Sequence, residues 1–301
     1  MEKTVKIPQN VESKDLMKLT SEFVDIDANP ISNEFKLDFS ELKYVSASAV
    51  ALLDNLIGYL ENKDVKISVS GIEFKEKMCP ISFLRDAGFF EKYLDEPNEI
   101  FRIKKTKFIY PIESLNSTNY EEWTERFSYW ISSIIGVDKN QIATLTVAVK
   151  EILNNVNDHA NITTCGIFAQ FIEEEKKFHI SISDIGVGIP YNVKKFLNDD
   201  ISDYETLMWA VEEGNSTKST PRNRGVGLNY LINNIVENIH GKVEIYSNKA
   251  NIICKNKGNG IYFYGSDNNI MHPGTLILIK LNKEEILNNL DEEEEFSWEE
   301  L

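Results

Sequence analysis

The stretch 177-KFHISISDIGVGIP-190 decides how this chain is read. Its first half alternates apolar and polar side chains, the pattern of a strand with one buried face. That strand ends at Asp184, and Gly186 and Gly188 follow, two residues apart. Glycines at this spacing allow a tight turn and a close approach of backbone to a ligand. Taken alone, the pattern also suits any strand-ending turn.

Upstream lies 151-EILNNVNDHA-160, inside a helical pattern at about 138–159. Four residues turn a helix by about 400°, so Glu151, Asn155 and His159 drift only about 40° per step and form one polar ridge. Leu145, Val149, Ile152 and Val156 recur at spacings of three and four and can bury another face. A solvated stripe and a working ridge both fit this helix in isolation.

Downstream, 212-EEGNSTKSTPRNRGVGLNYL-231 begins as a loop rich in Gly, Asn, Ser, Thr and Pro. It enters a helix through Gly225-Val226-Gly227, and backbone N–H groups at a glycine-rich helix start form an anion site. Lys218, Arg222 and Arg224 add positive charge there. Finally, 273-PGTLILIKL-281 sets Gly274 and Thr275 at the head of a buried strand.

Two α/β blocks frame these motifs. After polar opening residues, the first has a strand at 34–40, an amphipathic helix at 46–63 and a strand at 65–71. One or two helices follow over 73–94, interrupted at Pro80. The segment 95–114 mixes charge, two prolines and a short strand, and reads as a boundary. The second block runs through helices at about 118–135 and 138–159, and strands at 164–173 and 177–184. Helices at about 203–213 and 226–240 come next, then a strand at 242–248. A hairpin over 251–265 turns at Lys257-Gly258-Asn259-Gly260, and the last strand is 275–281. Strands that cluster in this way favour a mixed sheet under a helical layer. The expected class is α/β (α+β), with one domain over 1–105, a second over 106–285 and an acidic disordered tail over 286–301.

The four motifs, in this order and at these distances, resemble the boxes of the GHKL (HATPase, Bergerat-fold) ATP-binding domains. That family includes DNA gyrase, histidine kinases and the anti-sigma-factor serine kinases, to which this chain is most similar. Glu151 and Asn155 match the N box, Asp184 to Gly188 the first glycine box, Arg224 to Leu228 the second, and Gly274-Thr275 the last. The resemblance covers about 120–282 and implies a Bergerat-fold α/β sandwich that binds Mg-ATP. It implies that Asp184 accepts a hydrogen bond from the adenine amine and that Asn155 offers its amide oxygen to Mg²⁺, a hard ligand for a hard cation. Glu151 would orient or deprotonate the attacking water or hydroxyl. Gly186, Gly188 and Ile189 would lie along the nucleotide. Arg224, Gly225, Val226, Gly227 and Leu228 would face the phosphates. The 212–224 loop would act as the lid, with Lys218 on the γ-phosphate, and Thr275 would support Asp184. His159 has either a packing or a catalytic role.

The segment 35-FKLDFSELKYVSASAVALLDNL-56 resembles STAS domains, the fold of anti-sigma-factor antagonists. The serine phosphorylated in those proteins falls on Ala47 here, between Ser46 and Ser48, so the resemblance implies docking or sensing of a protein partner. No histidine precedes His159, which removes an autophosphorylating histidine kinase. Few residues follow Thr275, so the transducer domains of the gyrase type are not expected. Three readings stay open: an ATP-controlled regulator of partner association with protein serine kinase activity, an ATP-hydrolysing effector of a bacterial stress or defence system whose dimerisation ATP drives, and a nucleotide-binding scaffold with no turnover. For the helix at 118–135, Trp123, Phe127 and Trp130 suit a homodimer interface or a core equally.

The bulk numbers agree with such a protein. The chain has 301 residues and 42% hydrophobic content, enough for two domains with sizeable cores. Its net charge is −16, seven units of which sit in 291-DEEEEFSWEEL-301. Such a balance argues against a nucleic-acid surface, which needs clustered Lys and Arg. Cys79, Cys165 and Cys254 form no CxxC pair and read as reduced thiols of a cytoplasmic protein. The N-terminus has no apolar signal core, and 44-YVSASAVALLDNLIGYL-60 is too short and polar for a membrane span.

Overall fold

The computed structural model describes residues 2–12, 15–73, 80–94, 102, 107–115, 119–159, 165–217 and 228–290, with backbone alone for 114 and 156–159. Helices and strands are mixed throughout, as expected, in an α+β arrangement.

In the N-terminal block, β1 (Lys3–Lys6), β3 (Glu34–Asp38) and β5 (Lys66–Ser70) form a parallel sheet in that order. Two short strands, β2 (Asn10–Val11) and β4 (Tyr44–Val45), pair beside it. The polar opening residues are therefore structural: Val5 and Ile7 are buried, which the flanking charges conceal in the sequence. Four helices follow the chain, α1 (Leu16–Thr20), α2 (Ala47–Glu61), α3 (Pro80–Asp86) and α4 (Phe89–Tyr93). Helix α2 begins where Ser46, in extended conformation, accepts a hydrogen bond from the Ala49 N–H at 3.2 Å. Pro80 opens α3, where its missing N–H has no helical partner to lose. The break between α3 and α4 falls at Gly88, whose φ of +86° few other residues adopt.

The second block holds five strands, β6 (Ile109–Leu115), β7 (Cys165–Ile172), β8 (Lys177–Asp184), β9 (Lys242–Asn256) and β10 (Ile261–Asn282). They form one sheet in the order β6-β7-β8-β10-β9. Every pairing in it is antiparallel, and among the described residues parallel pairing is confined to the N-terminal block. Clustered strands had suggested a mixed sheet. Hairpin connections join β7 to β8 and β9 to β10, and a hairpin can only be antiparallel. The β9–β10 turn at 257–260 lies where the sequence places it, closed by Lys257 N–H to the Gly260 carbonyl at 3.3 Å. The separate strands expected there are halves of two long ones.

Helices α5 (Tyr120–Ile135) and α6 (Ala143–His159) cover one face. So do α8 (Asp203–Val211), α9 (Leu228–Ile232), the π-helical turn Asn233–Asn238 that continues it, and α10 (283–290). Ile286 and Leu290 of α10 are buried in that core, so residues 286–290 are helix, not tail. Trp123 and Phe127 stack at 4.6 Å between centroids and are fully buried, so those aromatics serve the core. Helix α7 (Gly188–Leu197) starts at the second of the two glycines read as a tight turn. Pro190 lies in its first turn, where proline is tolerated.

The sheet's other face packs against α2. Phe168, Tyr246, Leu276 and Leu278 share a core with Leu52, Leu53 and Leu56 of that helix. Helix α2 thus lies between the small parallel sheet and the large antiparallel one, and its apolar residues run all the way round it. Cys165 and Cys254 are free and buried, and burial pushes each thiol up to about 12; Cys79 lies outside the described residues.

Candidate functional site

Strand alternation decides which face carries the site. Phe178, Ile180 and Ile182 point into the helix-covered core, so Asp184, two further on, continues their row. Thr275 continues the row of Ile277 and Ile279, and Ser247 that of Val243 and Ile245. In register, Thr275 stands opposite both Asp184 and Ser247. Three polar side chains from three adjacent strands therefore meet at the end of the sheet, on the side of α6.

Asp184 is buried, and its carboxylate accepts a hydrogen bond from the Gly186 N–H at 2.7 Å and further bonds from the Thr275 N–H and hydroxyl. Burial pushes its carboxyl up to about 6, and only those hydrogen bonds oppose it. A carboxylate held in this way, with no cation beside it among the described residues, retains acceptor capacity for a ligand N–H.

Ser247 ties the surroundings together. Its hydroxyl donates to the Gly274 carbonyl at 2.9 Å, accepts from the Ile189 N–H at 3.0 Å and stands 3.1 Å from the Thr275 hydroxyl. No local motif marks this role, because Ser247 becomes a site residue only through its register with Thr275. Gly274 has φ +74°, and a Cβ there would lie 2.2 Å from the Asp184 carbonyl oxygen. Gly188 has φ +81°, and its Cβ would lie 2.4 Å from Asn248 Oδ1 and 2.8 Å from Ser247 Oγ. The need for glycine at 188 is therefore set by protein neighbours, where ligand approach had been expected. Asn248 donates its amide to the Val187 carbonyl at 3.1 Å and leaves Oδ1 buried without a hydrogen-bond partner among the described residues.

Helix α6 supplies the second part. Leu145, Val149 and Ile152 are buried as their spacing requires, while Glu151 and Asn155 are half-buried along one ridge. Glu151 accepts from Asn154 Nδ2 at 3.3 Å. The helix packs against β8, α7 and α9. The His159 side chain lies outside the described residues, as do Lys218, Arg224, Gly225, Val226 and Gly227. Leu228 is half-buried at the start of α9.

A single amide oxygen at Asn155, with Glu151 one turn away, fits a hard cation held mainly by the oxygens of its own ligand. The buried Asp184 carboxylate beside glycine-bounded backbone fits an amine-bearing ligand. No protein-family model and no curated protein matches this chain.

A separate cavity of about 750 Å³ opens on the α2 face of the sheet. Ser46 and Ser48 border it from α2, and His179, Glu244, Tyr246 and Lys280 from the strands. Glu244 is buried there; burial raises its carboxyl, but Lys280 at 3.1 Å and Lys242 at 2.9 Å outweigh that and hold it below the usual range. Glu151, Asn155, Asp184, Ser247 and Thr275 do not border this cavity.

Proposed function

We propose that the chain binds Mg-ATP in the manner of the GHKL ATP-binding domains and acts as a cytoplasmic regulatory protein. In this reading ATP state and lid closure control association with a protein partner. The observation that carries the reading is Asp184: a buried carboxylate at a strand end, fixed by Gly186 and Thr275 and with no cationic partner among the described residues, on the same side of the sheet as the Glu151–Asn155 ridge. A carboxylate accepts from the exocyclic amine of adenine and repels the carbonyl that guanine carries at the same position. Asn155 would hold Mg²⁺ against the triphosphate, whose charge the ion neutralises when bound. Glu151, one helical turn before it, would position and deprotonate a hydroxyl or a water.

The reading is tested by titrating the purified protein with Mg-ADP and Mg-GDP in a calorimeter. Binding of the adenine nucleotide, lost in Asp184→Asn, is expected; equal affinity of that variant would overturn the assignment. Incubation with Mg-ATP then separates the chemistry. Phosphate found on a protein partner identifies a serine kinase, and free phosphate without a partner identifies an ATP-hydrolysing effector. Within the described residues no helix is long and apolar enough to cross a membrane, in keeping with this role.

A further inference from the structure

Helix α2 belongs to the N-terminal block, yet one of its side chains reaches the end of the sheet where Asp184 lies. Asn55 is buried, and its Nδ2 donates to the Pro273 carbonyl at 3.1 Å and stands 3.4 Å from His272 Nε2. Both acceptors sit in the irregular part of β10, where the register against β9 shifts between Asp267 and His272 and again before Thr275. Strand bulges of this kind lack the ladder hydrogen bonds that hold regular strands in place. Something else must fix the 272–274 backbone.

Two side chains do so, from opposite faces of the sheet. Ser247 binds the Gly274 carbonyl from the α6 side, and Asn55 binds the Pro273 carbonyl from the α2 side. Gly274 lies hard against Asp184: a Cβ on it would be 2.8 Å from Asp184 Oδ1. Displacement of the Pro273 peptide is thus passed directly to the carboxylate. Helix α2 makes two further close approaches nearby. The Ser183 hydroxyl points to the Ala51 carbonyl at 3.5 Å, one residue before Asp184, and Asp54 lies so near Gly166 that a Cβ there would be 2.3 Å from Asp54 Oδ2. Asp54 is in turn held by Lys92 at 2.5 Å and by the Tyr93 hydroxyl at 2.5 Å, both on α4.

We infer that Asn55 is a positioning residue for Asp184, through which the docked N-terminal block sets the affinity of base recognition. Its role as a determinant of affinity rests on the nucleotide reading given above; its role in holding the carboxylate does not. An event that shifts α2, such as a partner engaging the N-terminal block, would alter nucleotide affinity without touching the nucleotide.

The experiment compares the full-length protein with Asn55→Ala and Asn55→Ser, the serine being too short to reach Pro273 and the milder change should alanine fail to fold. Amide hydrogen exchange by NMR is read at Gly186 and Thr275, the two residues whose N–H groups hold Asp184, and at Ile180 and Ile279 as references. Exchange about tenfold faster at Gly186 and Thr275, with the references unmoved, is expected for loss of one buried hydrogen bond acting locally. Exchange that rises equally at all four amides, or at none, overturns the positioning role. Calorimetry with Mg-ADP should show about tenfold weaker binding to the variants. Unchanged ADP affinity in a variant with selectively faster exchange overturns the link to base recognition. Wild-type protein that binds no adenine nucleotide sinks the functional reading, and with it the affinity role, while the exchange result still decides whether Asn55 holds Asp184.

Discussion

Thr275 and Asp184 stand opposite each other across β10 and β8, and Thr275 gives the Asp184 carboxylate both its N–H and its hydroxyl. This pair fixes a buried carboxylate in one orientation without neutralising it. Burial disfavours the ionised form and the hydrogen bonds from Thr275 only partly offset it, so the carboxylate stands against stability at neutral pH and in favour of a ligand that brings an N–H donor.

Asp184→Asn should therefore lose adenine nucleotide while gaining relative stability at neutral pH. The folded-state carboxyl is raised from 3.8 to about 6, so the folded state binds the extra proton between those values. Stability from that source is present below about 4 and lost as pH rises through 6. Two units correspond to about 3 kcal/mol. Urea unfolding of both proteins from pH 4 to 7 should show the variant gaining on the wild type by an amount of that order.

His272 works in the opposite sense over a similar range. Burial lowers its imidazole from 6.5 to about 4, so the unfolded chain binds the proton first. The associated stability is complete above about 6.5 and disappears as pH falls through 4. His272→Gln should be less acid-sensitive than the wild type by about 3 kcal/mol over that window, measured by the same unfolding series.

Glu151→Ala should keep nucleotide and lose turnover. The side chain is half-buried, so its removal costs little stability, whereas a positioned base contributes about 10²- to 10⁴-fold in rate. ADP release and equilibrium binding, measured together, separate the two effects. Weakened binding with unchanged turnover would refute the assignment.

Gly274→Ala should be strongly destabilised. The left-handed backbone there costs a non-glycine residue about 1–2 kcal/mol, and the 2.2 Å approach to the Asp184 carbonyl oxygen adds a clash with backbone. Thermal unfolding should show a loss well above that of Gly214→Ala. At Gly214 φ is also positive, at +83°, but a Cβ would meet nothing within 4 Å.

Phe168→Ala tests whether the two blocks form one cooperative unit. Phe168 is buried on the α2 face and meets Phe83 of α3 edge-on at 5.9 Å. Truncation should cost about 3–5 kcal/mol and lower a single unfolding transition. Separate transitions for the two blocks, seen by circular dichroism, would show that the shared core does not couple them.

The amino-acid sequence by itself determined the elements and the chemistry each can carry. Strand β8 is legible because its alternation has period two, and the ridge of Glu151 and Asn155 because a helix returns nearly to the same face after four residues. The tertiary structure alone decided which of these elements meet. Register sets Thr275 and Ser247 around Asp184, and register depends on strand pairing between residues far apart in the chain. The antiparallel sheet, the helical start at Gly188 and the work of Ser247 were hidden for the same reason. The docking of α2 was hidden too. Its all-round apolar surface signals burial but names no second partner, so only packing reveals that Asn55 of one block holds the backbone beside Asp184 of the other.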